Sequence, residues 1–381
     1  MRIDLLTTEL HVGGAEKCFA NLARFLKQRG HSVRVISLMP RPIPGLDSLA
    51  RSIEDHSIPV EYLGVESKWQ IWQLTKSLKA LVDDSPPDIA QSFLFHSNVL
   101  ASMVYPQHNI PIVGGERVAD PRRFRAWVTK AAVKRMARLV CVSQSVALHC
   151  EHREGITRDK LIVIPNGIDV RSTMPASEIS TFAQRQLALP RSTPCLLFVG
   201  RIDYQKGIDG LVSHADDLLN KLPQFQIIII GEGPLRSVLQ TQASQLRNEA
   251  RIHFVGQQSN VLEWMRSSKL LLLPSRYEGM PNVVLEAMAV GLPVATTRAE
   301  GIVETLGPAA EDQCVLIDAW EEWIEMVVRL ATDRELASRI GIANRKRCEE
   351  YFDLDNQLLL YEKTYQEVLD ERAKSRLSEQ K

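Results

Sequence analysis

The sequence predicts an α/β protein made of two consecutive, doubly wound parallel-sheet domains. Three observations carry that prediction. Short apolar, β-branched runs alternate with longer stretches of helical period. The alternation breaks once, over a mixed polar stretch at 169–193, and then restarts. Polar, charged and glycine residues gather just after the apolar runs, where open α/β sheets bind ligands.

Taken in order, the first series of buried strands is expected at 3–6, 33–38, 89–93, 110–113, 139–142 and 161–164. Between the first two, Ala15, Phe19, Leu22, Ala23 and Leu26 repeat at helical spacing, and Gly30 ends the helix. The 169–193 stretch, with two prolines, carries at most one short helix. The second series of strands is expected at 196–199, 227–230, 252–255, 270–273 and 294–296. Helical patterns at 320–330, 335–351 and 354–369 close the chain, and the charged tail from Arg372 is expected to fray. The predicted domains are therefore 1–170 and 171–350. Residues 351–381 form a C-terminal helix packing back toward the first domain, with the frayed tail.

A length of 381 residues suits two domains. Basic and acidic residues balance at 46 each, so no global charge draws the chain to nucleic acid and any anion site is local. Cys18, Cys141, Cys150, Cys195, Cys314 and Cys348 are scattered without a Cys-x-x-Cys pair, which points to reduced thiols in the cytoplasm. His149, Cys150 and His152 are read as ordinary helix surface and not as a metal site. Asp4 and Glu9 interrupt the apolar run at 1–10, so no secretory signal is expected. No later stretch approaches the roughly 18 apolar residues of a membrane span.

The most informative segment is 274–294, PSRYEGMPNVVLEAMAVGLPV. Strand 270–273 stops at Pro274, a polar loop follows, and Pro281 is expected at the first helical position. Amides of the first turn, near Asn282 and Val283, then form a ready anion site. Glu286 lies on the same helical face as Asn282 and is the only charge between 282 and 291. A partly buried carboxylate needs donors, and a ribose offers two vicinal hydroxyls. Glu278 precedes it by eight residues, which along a helix is ~12 Å, beyond the about 5–9.5 Å of paired hydrolytic carboxylates. Each acid therefore holds a different part of one ligand.

At full spacing, this segment resembles the Glu-x7-Glu motif of retaining glycosyltransferases of family 4, also called group 1. The resemblance extends over nearly the whole chain. It implies the GT-B architecture, two Rossmann-like domains facing a central cleft, and metal-independent transfer of a sugar from a nucleotide diphosphate donor with retention. By that resemblance Glu286 holds the donor ribose and Glu278 lies beside the donor sugar. Gly279, Met280, Asn282 and Val283 supply main-chain donors, while Pro281 only shapes the turn.

Residues 198–209, FVGRIDYQKGID, place Arg201 and Lys206 just after the first strand of the second domain. A diphosphate leaving group gains negative charge as the glycosidic bond breaks, and preorganised cations stabilise it. The segment is similar to the family's Gly-Arg…Lys-Gly motif, and no Asp-x-Asp element stands beside it, so the two cations take the place of a metal. Gly231, in GEGPLR at 231–236, matches a turn lining the nucleotide pocket, and Gly256 and Gln257 match the base-reading position. In the first domain, the loop Gly13-Gly14-Ala15-Glu16 lets amides approach a phosphate or sugar, with Gly14 as the donor contact. His96, in SFLFHSN, matches a position facing the donor sugar. Glu116 and Arg117, after strand 110–113, are expected on the acceptor side. PNGID at 165–169 matches the crossover between domains.

One segment speaks to the acceptor. Residues 121–138 carry seven basic residues and no acid, with Phe124, Trp127, Val128 and Ala131 at helical spacing. A basic amphipathic helix over Arg122 to Arg138 can lie on an anionic bilayer, which suits a peripheral enzyme on the inner face of the membrane with a lipid-linked acceptor. A solvated helix beside the sheet is the alternative. On family frequency the donor is a uridine nucleotide sugar; guanosine and adenosine stay open. The acceptor is expected to be a glycan or lipid-linked molecule of cell-surface polysaccharide or glycolipid synthesis. Two rivals are a non-catalytic nucleotide-sugar-binding partner subunit and a dehydrogenase. The intact acid and cation set argues against the first. The second lacks a Gly-x-Gly-x-x-Gly after the first strand.

Overall fold

A computed structural model describes residues 1–65, 70–120, 122–173 and 180–379. The chain divides into two compact units, Met1–Gly167 with Asp355–Lys381, and Ile168–Leu354.

The first unit holds seven strands: β1 (Arg2–Thr7), β2 (Ser32–Ser37), β3 (Val60–Tyr62), β4 (Ile89–Ser92), β5 (Ile112–Glu116), β6 (Arg138–Cys141) and β7 (Leu161–Val163). They pair in the order β3-β2-β1-β4-β5-β6-β7, parallel throughout. The second unit holds β8 (Cys195–Val199), β9 (Gln226–Ile230), β10 (Ile252–Gly256), β11 (Leu270–Leu273), β12 (Val294–Thr297) and β13 (Cys314–Val315). Their order is β10-β9-β8-β11-β12-β13, again all parallel. Strands covered on both faces must be apolar without alternation; Leu270, Leu271, Leu272 and Leu273 are all fully buried. Each such leucine contributes about 1.5–3 kcal/mol relative to exposure. Two parallel doubly wound sheets are the predicted fold class.

The strand order reverses between β1 and β4 in one sheet and between β8 and β11 in the other. Ligands bind at such switch points, beyond the carboxyl ends of the strands. In the first unit, the Gly13–Gly14 turn follows β1 and His96 follows β4. In the second, Arg201 and Lys206 follow β8 and Glu278 follows β11.

Several local expectations are corrected. The strand read at 110–113 runs instead over Ile112–Glu116, through two glycines that ordinarily interrupt a strand. Close packing selects them: a Cβ at Gly114 would meet the Met136 sulfur at 2.6 Å, and one at Gly115 the Ser92 carbonyl at 3.0 Å. Glu116 therefore ends the strand instead of following it. Gly256 likewise closes β10, at a register shift, instead of opening the next loop. Pro281 is the residue before the helix Asn282–Ala289, with φ −72° and ψ 120°, and not its first turn. Cys150 is fully buried within the helix Gln144–His152, so that stretch is not wholly surface. Among the described residues no three metal-ligating side chains gather as a ligand set.

The last helix runs from Leu354 to Glu379, well past the expected fraying point. It buries Leu358, Tyr361, Tyr365 and Val368 in the first unit, where the Tyr365 hydroxyl donates to Gln91 Oε1 at 3.1 Å. Beyond that apolar face, Glu371 takes Arg138 at 2.6 Å, and the Arg372 guanidinium donates to the main-chain and side-chain oxygens of Asn109. These ties hold the segment that composition alone reads as loose. The segment read as basic from 121 to 138 is helical only over Arg123–Val133, and Pro121 lies outside the described residues. One short helix, Phe182–Gln186, occupies the 169–193 stretch, of which 174–179 lie outside the described residues. No described helix is long and apolar enough to cross a membrane.

Candidate functional site

The second unit brings two of the predicted charges, Lys206 and Glu278, together. After β8 the chain passes Gly200 and Arg201 and makes one 3-10 turn, Tyr204–Lys206, capped by the Asp203 carboxylate accepting from the Lys206 amide. Gly207 then turns the chain at φ +65°, and a Cβ there would lie 1.9 Å from the Pro274 carbonyl, so only glycine lets this loop press on the one after β11. Across that contact Lys206 Nζ donates to Glu278 Oε1 at 2.6 Å. Ser275 Oγ donates to the same oxygen at 2.7 Å. The Lys206 side chain is 17% and the Glu278 side chain 5% exposed, so the charges meet at the floor of the switch point and not on open surface. Arg201 differs: its side chain is 70% exposed, 3.4 Å from Asp203.

A second tie joins the same two loops. Arg276 grips Asp209 through two bonds of 2.7 and 2.9 Å, donates to the Tyr204 carbonyl at 2.8 Å, and lies 4.0 Å over the Tyr204 ring. The Arg276 amide donates to the Gln205 carbonyl at 2.8 Å, and Gln205 returns a side-chain bond to the Tyr277 carbonyl at 3.0 Å. Burial is the largest single influence on the Asp209 carboxyl and pushes it up, but the hydrogen bond and charge of Arg276, together with the Asp209 and Gly210 amides, hold the group below its ordinary range. A bidentate, ring-stacked guanidinium fixes loop geometry in a way a lysine cannot. None of Ser275, Arg276, Asp209 or Gln205 is picked out by the sequence reading. Their partners lie 67 to 72 residues apart, except for Ser275, whose position three residues before Glu278 was the one local signal.

The other predicted donor residues of the second unit lie after Glu278 or at the carboxyl ends of β9 and β10. Gly279 and Met280 are buried, and Asn282, Val283 and Glu286 are half-buried in the first turns of the Asn282–Ala289 helix. That helix packs on Arg334–Tyr351, whose Arg345 donates to the Ala289 carbonyl at 2.6 Å. Gly231 adopts φ +141°, and a Cβ there would sit 1.9 Å from the Gly200 carbonyl, so the turns after β8 and β9 are in contact. The Gly231 amide donates to the Gly256 carbonyl at 3.0 Å, which aligns the turn after β10 with them; Gln257 is exposed beyond it.

In the first unit, Gly14 is exposed at the start of the helix Gly14–Gln28, which buries Phe19, Leu22, Ala23 and Leu26. Phe19 meets Phe93 edge-on with centroids 5.4 Å apart, anchoring this turn to the one after β4. There Leu94 adopts φ +72°, an expensive conformation for a branched residue, immediately before the helix Phe95–Val104 that carries half-buried His96. Glu116 is buried, and its Oε2 has no hydrogen-bond partner. Burial, and secondly the charge of Glu154, push its carboxyl up to about 8. Arg117, read as an acceptor contact, is committed internally. It donates to Asn166 and, at 3.3 Å, to the Tyr361 hydroxyl, and lies 5.1 Å over the Phe93 ring. The guanidinium thus joins the end of β5 to the crossover segment and the C-terminal helix.

Two successive doubly wound parallel sheets, the first completed by a returning C-terminal helix, are the GT-B architecture. The UDP-glucose complex of Anabaena HepE superposes with a TM-score of 0.85 at 19% identity, over 96% of this chain and all of that one, which establishes the fold. Two family models match: Glycosyltransferase Family 4 over residues 12–172 and Glycosyl transferases group 1 over residues 180–347. The chain belongs to the family 4, group 1 glycosyltransferases, and is an enzyme of the retaining hexosyltransferase type. Among curated relatives, a lipopolysaccharide core biosynthesis mannosyltransferase of Rhizobium meliloti is 26% identical over 66% of this chain and 71% of its own length. An Escherichia coli UDP-Gal:alpha-D-GlcNAc-diphosphoundecaprenol alpha-1,3-galactosyltransferase is 25% identical, and the match spans only 55% of each chain.

Proposed function

We propose that this chain moves a hexose from a UDP-sugar to a glycan or lipid-linked acceptor in cell-surface polysaccharide or glycolipid synthesis, in the cytoplasm and without a metal. The observation that carries the reading is the Lys206–Glu278 pair at the β8/β11 switch point, eight residues ahead of Glu286. A pyrophosphate entering there meets Lys206, Arg201 and the helix-start amides of Asn282 and Val283. Glu286 holds the ribose hydroxyls, and Glu278 takes sugar hydroxyls as Lys206 turns to phosphate. Gly14, Gly279 and Met280 bring main-chain groups close to the donor, Gly231, Gly256 and Gln257 line the nucleotide end, and His96 contacts the sugar. The acceptor proton passes to the departing phosphate. Glu116 stays protonated at neutral pH on the acceptor side, and Arg117 acts by holding that strand end in place. The uridine donor is favoured by the UDP-galactose used by the Escherichia coli galactosyltransferase and by the UDP-glucose in the superposed complex.

A thermal-shift panel of UDP, GDP and ADP tests the donor, since a ligand selective for the native state raises its stability. UDP is expected to raise the melting temperature and Glu286→Ala to remove that rise; equal response to all three nucleotides, or to none, overturns the assignment. Release of UDP from UDP-sugar with water as acceptor separates an enzyme from a binding subunit, and Glu278→Ala is expected to abolish it.

The Arg276 tie gives a further prediction. Asp209→Ala and Arg276→Lys are each expected to lower kcat/KM for the donor by about 10–100-fold through misplacement of Lys206 and Glu278. The double variant is expected to be no worse than either single one, since both remove one interaction. Steady-state kinetics on the three variants measure this, and additive losses refute a shared positioning role.

A further inference from the structure

The helix Arg123–Val133 is built the wrong way round for a helix that only covers a sheet. Its inward face is Thr129, Ala132 and Val133. Outward, at spacings of three and four residues, stand Phe124, Trp127 and Ala131, with Phe124 69% and Trp127 70% exposed. Arg123, Lys130, Lys134 and Arg135 are exposed around that stripe. The carboxylates ion-paired to cations of the 122–138 segment are Asp120, which takes Arg122 and Arg125, and Glu371, which takes Arg138. With Arg122, Arg125 and Arg138 so paired, the outward cations Arg123, Lys130, Lys134 and Arg135 give this face its positive charge.

The aromatic character extends beyond this helix. Helices Ile71–Asp84, Phe95–Val104 and Arg123–Val133 pack in that order as one layer. Each follows a strand of a parallel sheet, so all three begin at the carboxyl edge of the sheet. Trp72, in the first turn of the first helix, is 83% exposed, the highest value among the large apolar side chains of the described residues. Phe95 begins the second helix, and the Arg125 guanidinium lies 4.4 Å over its ring, which joins the second helix start to the third. At 8–10 Å per helix neighbour, the aromatic rim from Trp72 to Trp127 is about 20 Å long.

We propose that this rim is a bilayer-contact surface, in which Phe124, Trp127 and Trp72 enter the headgroup region and Arg123, Lys130, Lys134 and Arg135 meet anionic lipid phosphates. Tryptophan is the side chain best suited to that interface, being apolar over most of its surface with one polar edge. Cations close to an anionic leaflet add attraction that fades within a Debye length. A soluble partner with an acidic face meets the charges, but leaves separated aromatics along a 20 Å rim without matching pockets, whereas a fluid interface accepts any spacing. The inference deepens the lipid-linked acceptor reading and rests on it for its purpose; its physics is independent of the donor chemistry.

The test is partition of the full chain, without donor, onto sedimenting vesicles of phosphatidylcholine alone or with one-third phosphatidylglycerol, at low and physiological salt. At least tenfold stronger partition onto the anionic vesicles is expected. Phe124→Ser with Trp127→Ser is expected to lower it tenfold or more, and Lys130→Glu with Lys134→Glu to erase the preference for anionic lipid. Brominated lipid is expected to quench wild-type tryptophan emission and to quench Trp127→Phe less. Wild-type protein remaining in the supernatant at low salt overturns the proposal, as does partition of the serine variant equal to wild type. Donor-only turnover, which these surface variants leave unchanged, reports separately on the glycosyl-transfer reading.

Discussion

Replacing Lys206 with alanine is expected to slow sugar transfer by about 10²–10³-fold, the range seen when one preorganised donor to developing charge is removed. Two losses combine. On the proposed reading, the departing pyrophosphate loses the more sheltered of its two cations, since Lys206 is 17% exposed where Arg201 is 70% exposed. Glu278 also loses its ion-pair partner and keeps only the Ser275 hydroxyl at 2.7 Å on that oxygen. Removing one partner of a buried pair destabilises by roughly 3–5 kcal/mol when burial is complete, so on the order of 2–3 kcal/mol is expected at this partly open site. The rate loss appears in kcat, and the stability loss in the denaturation midpoint. Adding Glu278→Gln to Lys206→Ala is expected to restore most of the stability and none of the rate. A double variant as unstable as Lys206→Ala contradicts this account, as does Lys206→Ala turning over within tenfold of wild type.

The second large effect is a pH dependence of stability carried by Glu116. Its carboxyl ordinarily titrates at 4.5, and burial first, then Glu154, push it up to about 8 in the folded chain, against the opposing pull of Arg125 and of the Arg117 amide. Between those values the folded state holds a proton that the unfolded chain has released. Stability therefore falls as pH rises from about 4.5 to 8, by an amount on the order of 3–5 kcal/mol for a shift of that size. Burial also raises Glu154, which steepens the same slope. Glu116→Gln keeps the shape of the protonated acid and cannot ionise. It is expected to match wild type at pH 5 and to exceed it at pH 8, by urea denaturation at both values. Equal stability of the two proteins at pH 8 refutes a buried, neutral Glu116.

Much of this fold is legible in the sequence because strands covered on both faces must be apolar, and such runs are conspicuous. Strands β3 and β13 escape because they span three and two residues, too few for any pattern. Glu116 was misplaced into a loop because two glycines ordinarily end a strand, and the reason these do not is the crowding of Met136 and Ser92 against them. The candidate site was legible as far as its residues follow strands. The Lys206–Glu278 contact follows from two loops at one switch point, whereas the tie through Arg276 and Asp209 depends on side chains 67 positions apart. Arg117, expected on the acceptor side from its place after a strand, has internal partners Asn166 and Tyr361 that lie 49 and 244 positions away, beyond any local pattern.

The returning helix makes the second unit an insertion within the first. Ile168 and Asp353 pair as neighbouring strands do; the Ile168 amide donates to the Phe352 carbonyl at 2.8 Å and the Leu354 amide to the Ile168 carbonyl at 3.2 Å. The beginning and end of that unit thus lie side by side. During synthesis the inserted unit is complete before the residues bearing Tyr361 and Tyr365 leave the ribosome, so it can fold first while Phe93 and Arg117 wait uncovered. Stop codons shortly before Tyr361 should accordingly leave a sound inserted unit attached to an aggregation-prone first unit, and the inserted unit, with its adjoining ends, is a natural cassette for exchange between related chains.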